Sequence, residues 1–337
     1  MYSLLIKNAA GSYINEITNH KGFNYNFELN REGECHIPIN VNLLDKFTMG
    51  NLYPRKSYLD IYRYDTKVWS GIFSDVTGDI GTGSGRMTLN FKGYLWLLKK
   101  MKVSPAGKII TATDQGSIIW ELINDFQSLP NGDYGITAGN IITGVTRDRT
   151  YQALKDIYEA ASELTEVING CDLEITADKA LNVYAHKGHR LSHVLEYGKN
   201  VSGISFSIDG KDVVNNSFAI GSGEGIDLLY STAHNMQSQE EFGLAQGVVP
   251  KADVILSETL SGYAQGMVNE YGIPTMIIIP EIMVTNDPPL FSYSIGDEIR
   301  IKIKYDWFDI DTYKRIKKIA VNVTTENKEN VSVEFQN

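Results

Sequence analysis

Tyr58-Leu59-Asp60-Ile61-Tyr62-Arg63-Tyr64, then Asp65-Thr66-Lys67, then Val68-Trp69-Ser70-Gly71-Ile72-Phe73, reads as an alternating strand, a turn and a returning strand. Aromatic and β-branched residues on a period of two suit a pleated, half-buried surface, so the stretch predicts a hairpin. Tyr58, Tyr62 and Tyr64 are expected to pack or pair across strands there, in preference to stacking on sugars. Outward from it, the glycine-rich Gly81-Thr82-Gly83-Ser84-Gly85 reads as a loop before a strand from Arg86 to Phe91. Gly93-Tyr94-Leu95-Trp96-Leu97-Leu98-Lys99-Lys100 then predicts one or two helical turns that plug the end of the β-structure. From residue 2 to about residue 100 the chain is a series of short β-rich runs broken by Gly and Asn. Many short strands at close spacing favour a closed or nearly closed β-structure that hides its edges.

The period changes beyond residue 110. Ile119, Leu122, Ile123 and Phe126 share a helical face behind Thr113 or Ser117 as caps, and Pro130-Asn131-Gly132 stops that helix. A second helix is expected after Thr150, with Leu154, Ile157, Tyr158 and Ala161 on one face. Cys171–Ile175 and Leu181–Ala185 predict a hairpin across Thr176 to Ala180. Together they make a small α+β unit, and β-character resumes from Val201 to Ile220.

Residues 221 to 290 carry another helical face, through Leu256, Leu260, Tyr263, Ala264, Met267, Val268 and Tyr271, bounded by Gly272 and Pro274. Nine acidic residues fall in this window (Glu224, Asp227, Glu240, Glu241, Asp253, Glu258, Glu270, Glu281 and Asp287) against the single base Lys251. The window thus holds -8 of the chain's net -10. The last strands, Glu298–Lys304, Tyr313–Val323 and Val331–Phe335, are balanced in charge.

At 337 residues and 42% hydrophobic content the chain can bury two or three cores. Its negative charge argues against binding nucleic acid or an anionic membrane surface, since both rest on clustered Lys and Arg. Cys35 and Cys171 alone offer no disulfide framework. The opening Met1–Lys7 lacks the basic start of a signal peptide, and the apolar run Met276–Ile279 is far too short to span a bilayer. The chain is therefore expected to be made in a cytoplasm and to stay soluble, with no membrane-spanning segment.

Candidate chemistry fails on spacing. His186, His189 and His193 sit near one another, but Gly188 breaks any helix that would put them on one face. Gly81–Gly85 and Gly221–Gly225 lack the Lys-Ser/Thr ending of a phosphate loop, and Glu224 would repel a phosphate. Cys35 and His36 are adjacent on a strand and point to opposite faces, which separates thiol from imidazole. No catalytic, cofactor-binding or metal-binding residue is assigned, and no cofactor is expected. A carboxylate pair for glycoside hydrolysis depends on separation in space, which spacing in sequence does not give.

Tyr58 to Tyr64 with Val68-Trp69-Ser70-Gly71-Ile72, then Phe91-Lys92-Gly93-Tyr94-Leu95-Trp96-Leu97-Leu98, resembles the opening of bacteriophage tail hub proteins, also called minor tail or baseplate hub proteins. Ala219-Ile220-Gly221-Ser222-Gly223-Glu224-Gly225, Tyr293-Ser294-Ile295-Gly296-Asp297-Glu298-Ile299 and Tyr313-Lys314-Arg315-Ile316 extend the likeness over nearly the whole chain. It implies a mainly β fold with an α+β insertion: two β-barrel-like domains paired side by side, at 1–105 and 200–337. The small α+β domain lies between them at 106–199, and a helical acidic excursion interrupts the second barrel at about 225–287. It further implies a homotrimer forming six barrels in a ring at the virion tail tip, assembled in the host cytoplasm. The implied partners are the tail tube or distal tail ring, a tape-measure protein and a tip fibre or spike, with DNA only in passage. Glu224, Asp227, Glu240, Glu241, Asp253, Glu258 and Glu270 would then line a lumen whose carboxylates repel phosphate. Two other readings stand beside this one: a receptor- or glycan-binding tip module, and a cell-wall glycan hydrolase.

Overall fold

The computed structural model describes residues 2–8, 10–17, 20–82, 84–252, 254–283 and 287–336. The first part of the chain supplies β1 (Tyr2–Lys7), β2 (Tyr13–Glu16), β3 (Phe23–Glu28), β4 (Glu34–Asn40), helix α1 (Lys46–Asn51), β5 (Tyr58–Arg63), β6 (Thr66–Gly81) and β7 (Ser84–Lys92). The middle supplies β8 (Lys108–Asp114), α2 (Gln115–Gln127), β9 (Thr137–Ala138), β10 (Thr146–Tyr151), α3 (Ile157–Thr165), β11 (Asp172–Ile175), β12 (Ala180–Tyr184) and β13 (Arg190–Glu196). Then follow β14 (Val201–Asp209), β15 (Asn216–Ile220), β16 (Tyr230–His234), α4 (Met236–Phe242), β17 (Gln246–Pro250) and α5 (Ser257–Tyr271). The chain closes with β18 (Thr275–Ile282), β19 (Glu298–Tyr305), β20 (Phe308–Val323) and β21 (Glu329–Phe335). The fold is mainly β, with the short α1 between β4 and β5 and the other α-helices in the middle and in the interval before β18.

Thirteen strands make one sheet, in the order β14-β18-β21-β20-β3-β4-β7-β6-β5-β1-β2, with β19 pairing β20 and β13 pairing β19 off that path. The expected hairpin is present: Tyr64 and Asp65 both take positive φ in the two-residue turn between β5 and β6. Gly71 in β6 lies under the Trp69 ring, where an added Cβ would come within 2.3 Å of the indole, so only glycine fits.

Two halves of this sheet repeat one another. β3-β4-β7-β6-β5-β1 and β14-β18-β21-β20-β19-β13 are the same arrangement written twice along the chain. Each contains a 16-residue strand, β6 or β20. That strand pairs first with its predecessor and then with its successor. The register shifts at the matching place in each, between Phe73 and Asp75 and between Ile316 and Lys318. The outer strands differ, β1 lying antiparallel to β5 and β13 parallel to β19.

Each half curls on itself through side chains. Tyr2 of β1 and Tyr25 of β3, at opposite ends of the first half, touch ring to ring and share a hydroxyl hydrogen bond of 2.9 Å. In the last half, Phe206 of β14 meets Phe308 of β20 with ring centroids 4.6 Å apart. The backbone ladder does not follow suit: among the described residues it runs open from β14 to β2, so sheet edges remain. β3 joins the halves by pairing Phe23–Glu28 against Lys318–Val323 of β20. One apolar core, with Leu4, Ile37, Leu89, Ile299, Val321 and Val333 fully buried or nearly so, runs through both.

A second core lies in the middle segment, where Ile118, Ile119, Leu122 and Ile123 of α2 face Ile157, Ala160, Ala161 and Leu164 of α3. Three expectations are corrected here. The cap of α2 is Asp114, whose carboxylate accepts from the backbone N–H of Gly116, in place of Thr113 or Ser117. The run after Thr150 stays extended through Tyr151 and α3 starts only at Ile157; Leu154 takes φ of 63° and is exposed. Tyr94–Lys100 does form helical turns, but Tyr94, Leu95, Leu97 and Leu98 pack into this second core instead of plugging the β-structure.

Candidate functional site

The acidic window is itself a small α/β layer. β15 sits between antiparallel β16 and parallel β17, and α5 lies across them through Leu260, Tyr263, Ala264 and Val268. The topology decides where the carboxylates go. Glu224 and Asp227 follow the end of β15, where Ser222 N–H donates to the carbonyl of Val254 just ahead of α5 and its Glu258. α4, carrying Glu240 and Glu241, lies at the opposite end, where Ser238 donates to the carbonyl of Gly272 beyond Glu270. The expected lumen residues therefore fall into two groups, about 15 Å apart along five-residue strands. Glu224, Asp227, Glu240, Glu241, Glu258 and Glu270 are all exposed. Asp253 lies outside the described residues. Lys251 anchors this layer to α3, its ammonium 3.4 Å from Glu163 and 4.5 Å above the Tyr263 ring. Burial raises the nearby Glu166 carboxyl despite that ammonium.

The other sequence candidates are dispersed. His186 is exposed, His189 is largely exposed with its backbone N–H donating 3.0 Å to Asp297, and no metal-binding group of acids, His and Cys occurs among the described residues. Cys35 is fully buried while the His36 ring faces Asn90 at 2.7 Å and Glu34, so strand alternation separates thiol and imidazole. The expected loop at Gly81–Gly85 is instead a tight hairpin end, with Gly81 paired to Ser84; Gly83 lies outside the described residues. A surface depression of about 460 Å³ holds Glu28, Glu32 and Glu34, and each carboxylate is matched by a lysine: Lys318, Lys99 and Lys92.

Sequence reading missed the polar groups that hold the halves together. Arg63 of β5 donates twice to Glu329 of β21, at 2.6 and 2.9 Å. Burial alone would raise the Glu329 carboxyl, but Arg63 and the Tyr2 hydroxyl outweigh it and hold the group below the usual carboxylate range. Asp172 of β11 accepts from Arg315 of β20 and from Asn30, tying the middle segment to both halves. Partners separated by 266 and 143 residues leave no local signal in the sequence.

Among the described residues, β14 and the far part of β6 each stand unpaired on one side. Apart from a single bridge from Val201 to Tyr197, β14 pairs with β18 alone among the described residues, and its Phe206 and Ile208 are 50% and 57% exposed. β6 pairs with β5 only as far as Ile72; from Asp75 to Gly81 it pairs with β7 alone, leaving Val76 and Ile80 41% and 84% exposed. Uncovered edges with apolar side chains are pairing surfaces for another chain.

No family model matches the sequence, and no curated protein does either. The fold does have counterparts among solved structures. A tail protein from Neisseria meningitidis MC58 superposes with a TM-score of 0.68 at 10% identity, covering 100% of this chain and 96% of its own. The 43 kDa tail protein of a Shewanella oneidensis prophage gives 0.67 at 9% identity, covering 99% and 98%. A prophage tail protein from Listeria monocytogenes EGD-e gives 0.61 at 12% identity, covering 99% and 94%. The chain has the fold of phage tail proteins from end to end.

Proposed function

From that shared fold, we propose that the protein is a structural hub of a phage tail tip, acting as a ring of three copies and not as a catalyst. The observation that carries this reading is the internal repeat: one chain holds two copies of a six-strand unit, so three chains hold six. Such a ring matches sixfold symmetry on one side and threefold symmetry on the other, and head-to-tail contacts that close favour it. Within it the units are 1–105, 106–199 and 200–337. The partners are the tail tube or distal tail ring, a tape-measure protein and a tip fibre or spike. DNA passes through the lumen during ejection, and the acidic groups around Glu224 and Glu240 border that path, where like charge keeps phosphate from sticking. Light scattering on purified protein, followed by particle imaging, tests the ring: a trimer with six similar lobes is expected, and a strict monomer at high concentration counts against it. Imaging that puts these carboxylates wholly on the outer wall would remove the lumen role.

A further inference from the structure

The halves repeat, but their surroundings do not. In the first half, β3 is paired on both sides, by β4 and by the far part of β20. Among the described residues, no strand but β18 pairs with its counterpart β14. In the last half, the far part of β20 is paired on both sides, by β21 and β3. Among the described residues, no strand but β7 pairs with its counterpart, the far part of β6. The missing partner of each stretch is the same kind of stretch that the molecule carries at its other end.

The side chains repeat with the backbone. Tyr25 stands opposite Cys35, and Phe206 stands opposite Ile278 at the matching place, which aligns Phe23-Asn24-Tyr25-Asn26-Phe27-Glu28 with Ile204-Ser205-Phe206-Ser207-Ile208-Asp209. Both read apolar, polar, aromatic, polar, apolar, acidic. The shared register shift likewise aligns Ile319, Val321 and Val323 of β20 with Val76, Gly78 and Ile80 of β6. Inside the chain, Phe23, Tyr25 and Phe27 stand opposite Val323, Val321 and Ile319. The first two and all three of their partners are buried.

We infer that β14 of one copy adds to the free side of β6 of the next, antiparallel, repeating between chains the β3–β20 junction found within each chain. The register follows from the alignment. Ile204 faces Ile80, Ser205 faces Asp79, Phe206 faces Gly78 and Ile208 faces Val76. The exposed Phe206 ring thereby lies over the glycine, the position in the run that has no side chain of its own. The outermost pair differs from its model: Glu28 and Lys318 approach within 3.5 Å, whereas Asp209 would face Asp75, so this end contributes repulsion in place of an ion pair. The contact between chains is on that account weaker than the one within a chain. Each copy offers one β14 edge and one β6 edge, so the contact is head-to-tail. Three copies alternate three inner and three outer junctions around the ring.

This assignment rests on the ring reading, and cysteine cross-linking separates the two. Ser205→Cys and Asp79→Cys are combined in one chain, both on exposed positions, while Cys35 and Cys171 are buried. Directly opposed residues in an antiparallel pair come close enough for a disulfide. Mild oxidation is expected to give covalent dimers and trimers on a denaturing gel, reversed by reductant, with each single variant remaining a monomer. A trimer by light scattering that forms no such bond overturns the β14–β6 contact and leaves the ring standing. A monomeric mass at every concentration, with no cross-link, overturns both. Phe206→Asp supplies the converse: a trimer that persists in this variant also overturns the contact.

Discussion

Tyr25 and Phe206 occupy equivalent places in the two halves, yet truncating them to alanine should have unequal consequences for an isolated chain. The Tyr25 ring is fully buried among Tyr2, Phe23 and Phe27. Tyr25→Ala leaves a cavity and ends the hydroxyl contact with Tyr2, a cost of about 4 kcal/mol from burial loss and roughly 1 kcal/mol from the hydrogen bond. Phe206 is 50% exposed, its ring edge-on to those of Trp307 and Phe308. Burying about 100 Å² of it is worth some 2 kcal/mol by area, and an alanine keeps part of that, so Phe206→Ala should cost about 1 kcal/mol. For a chain of this size a kilocalorie moves the melting temperature by about 2 °C. Calorimetry on dilute protein should therefore show falls of about 10 °C for Tyr25→Ala and about 2 °C for Phe206→Ala. Dilution matters because assembly stabilises the folded state by mass action. Equal falls in dilute protein would refute the view that one position is completed within the chain and the other waits for a neighbour.

Acid should loosen the seam between the halves. The folded-state pKa of Glu329 lies below its ordinary 4.5, so its contribution is full above that value and is lost as pH falls through the lower, folded value. Urea midpoints measured down from pH 6 should drop more steeply for the native chain than for Glu329→Gln, which is weaker at neutral pH but flatter. Asp114 accepts backbone N–H groups of Gly116, Thr143 and Gly144 at 2.9, 3.0 and 2.7 Å. Asp114→Ala should cost about 2 kcal/mol, with Asp114→Asn recovering part of it in the same denaturation series. Burial raises both thiols, Cys171 to about 12, so neither should react with a disulfide reagent at pH 8 until denaturant is added.

Much of the fold is legible because its elements obey local rules. The β5–β6 hairpin, α2, α5 and the closing strands each declare themselves by period and by turn residues. What stays hidden depends on distant pairing. Nothing near Phe23 says that its strand partner lies beyond residue 317, and nothing near Arg63 names Glu329. Leu154 fits a helical spacing with Ile157 and Ala161, but the chain takes a left-handed turn there and the helix begins later. The acidic count was plain in the sequence, while its division between two ends follows from β16 running back beside β15 and β17 running parallel to it. The β3 and β14 repeat was also present in the letters. It escapes because no residue is shared at the six positions, and only the order of polarity is kept.

The β3–β20 junction also sets a timetable for synthesis. Glu28 and Lys318, opposed in the finished sheet, are separated by 290 positions. At about 5–20 residues per second a ribosome needs roughly 15–60 s to make that interval. Throughout it, Phe23, Tyr25 and Phe27 wait on a bare strand edge in a nascent chain, beside other chains on the same message. The first half is therefore the stretch most exposed to premature pairing during translation, and the arrival of Lys318–Val323 of β20 is what releases it from that risk.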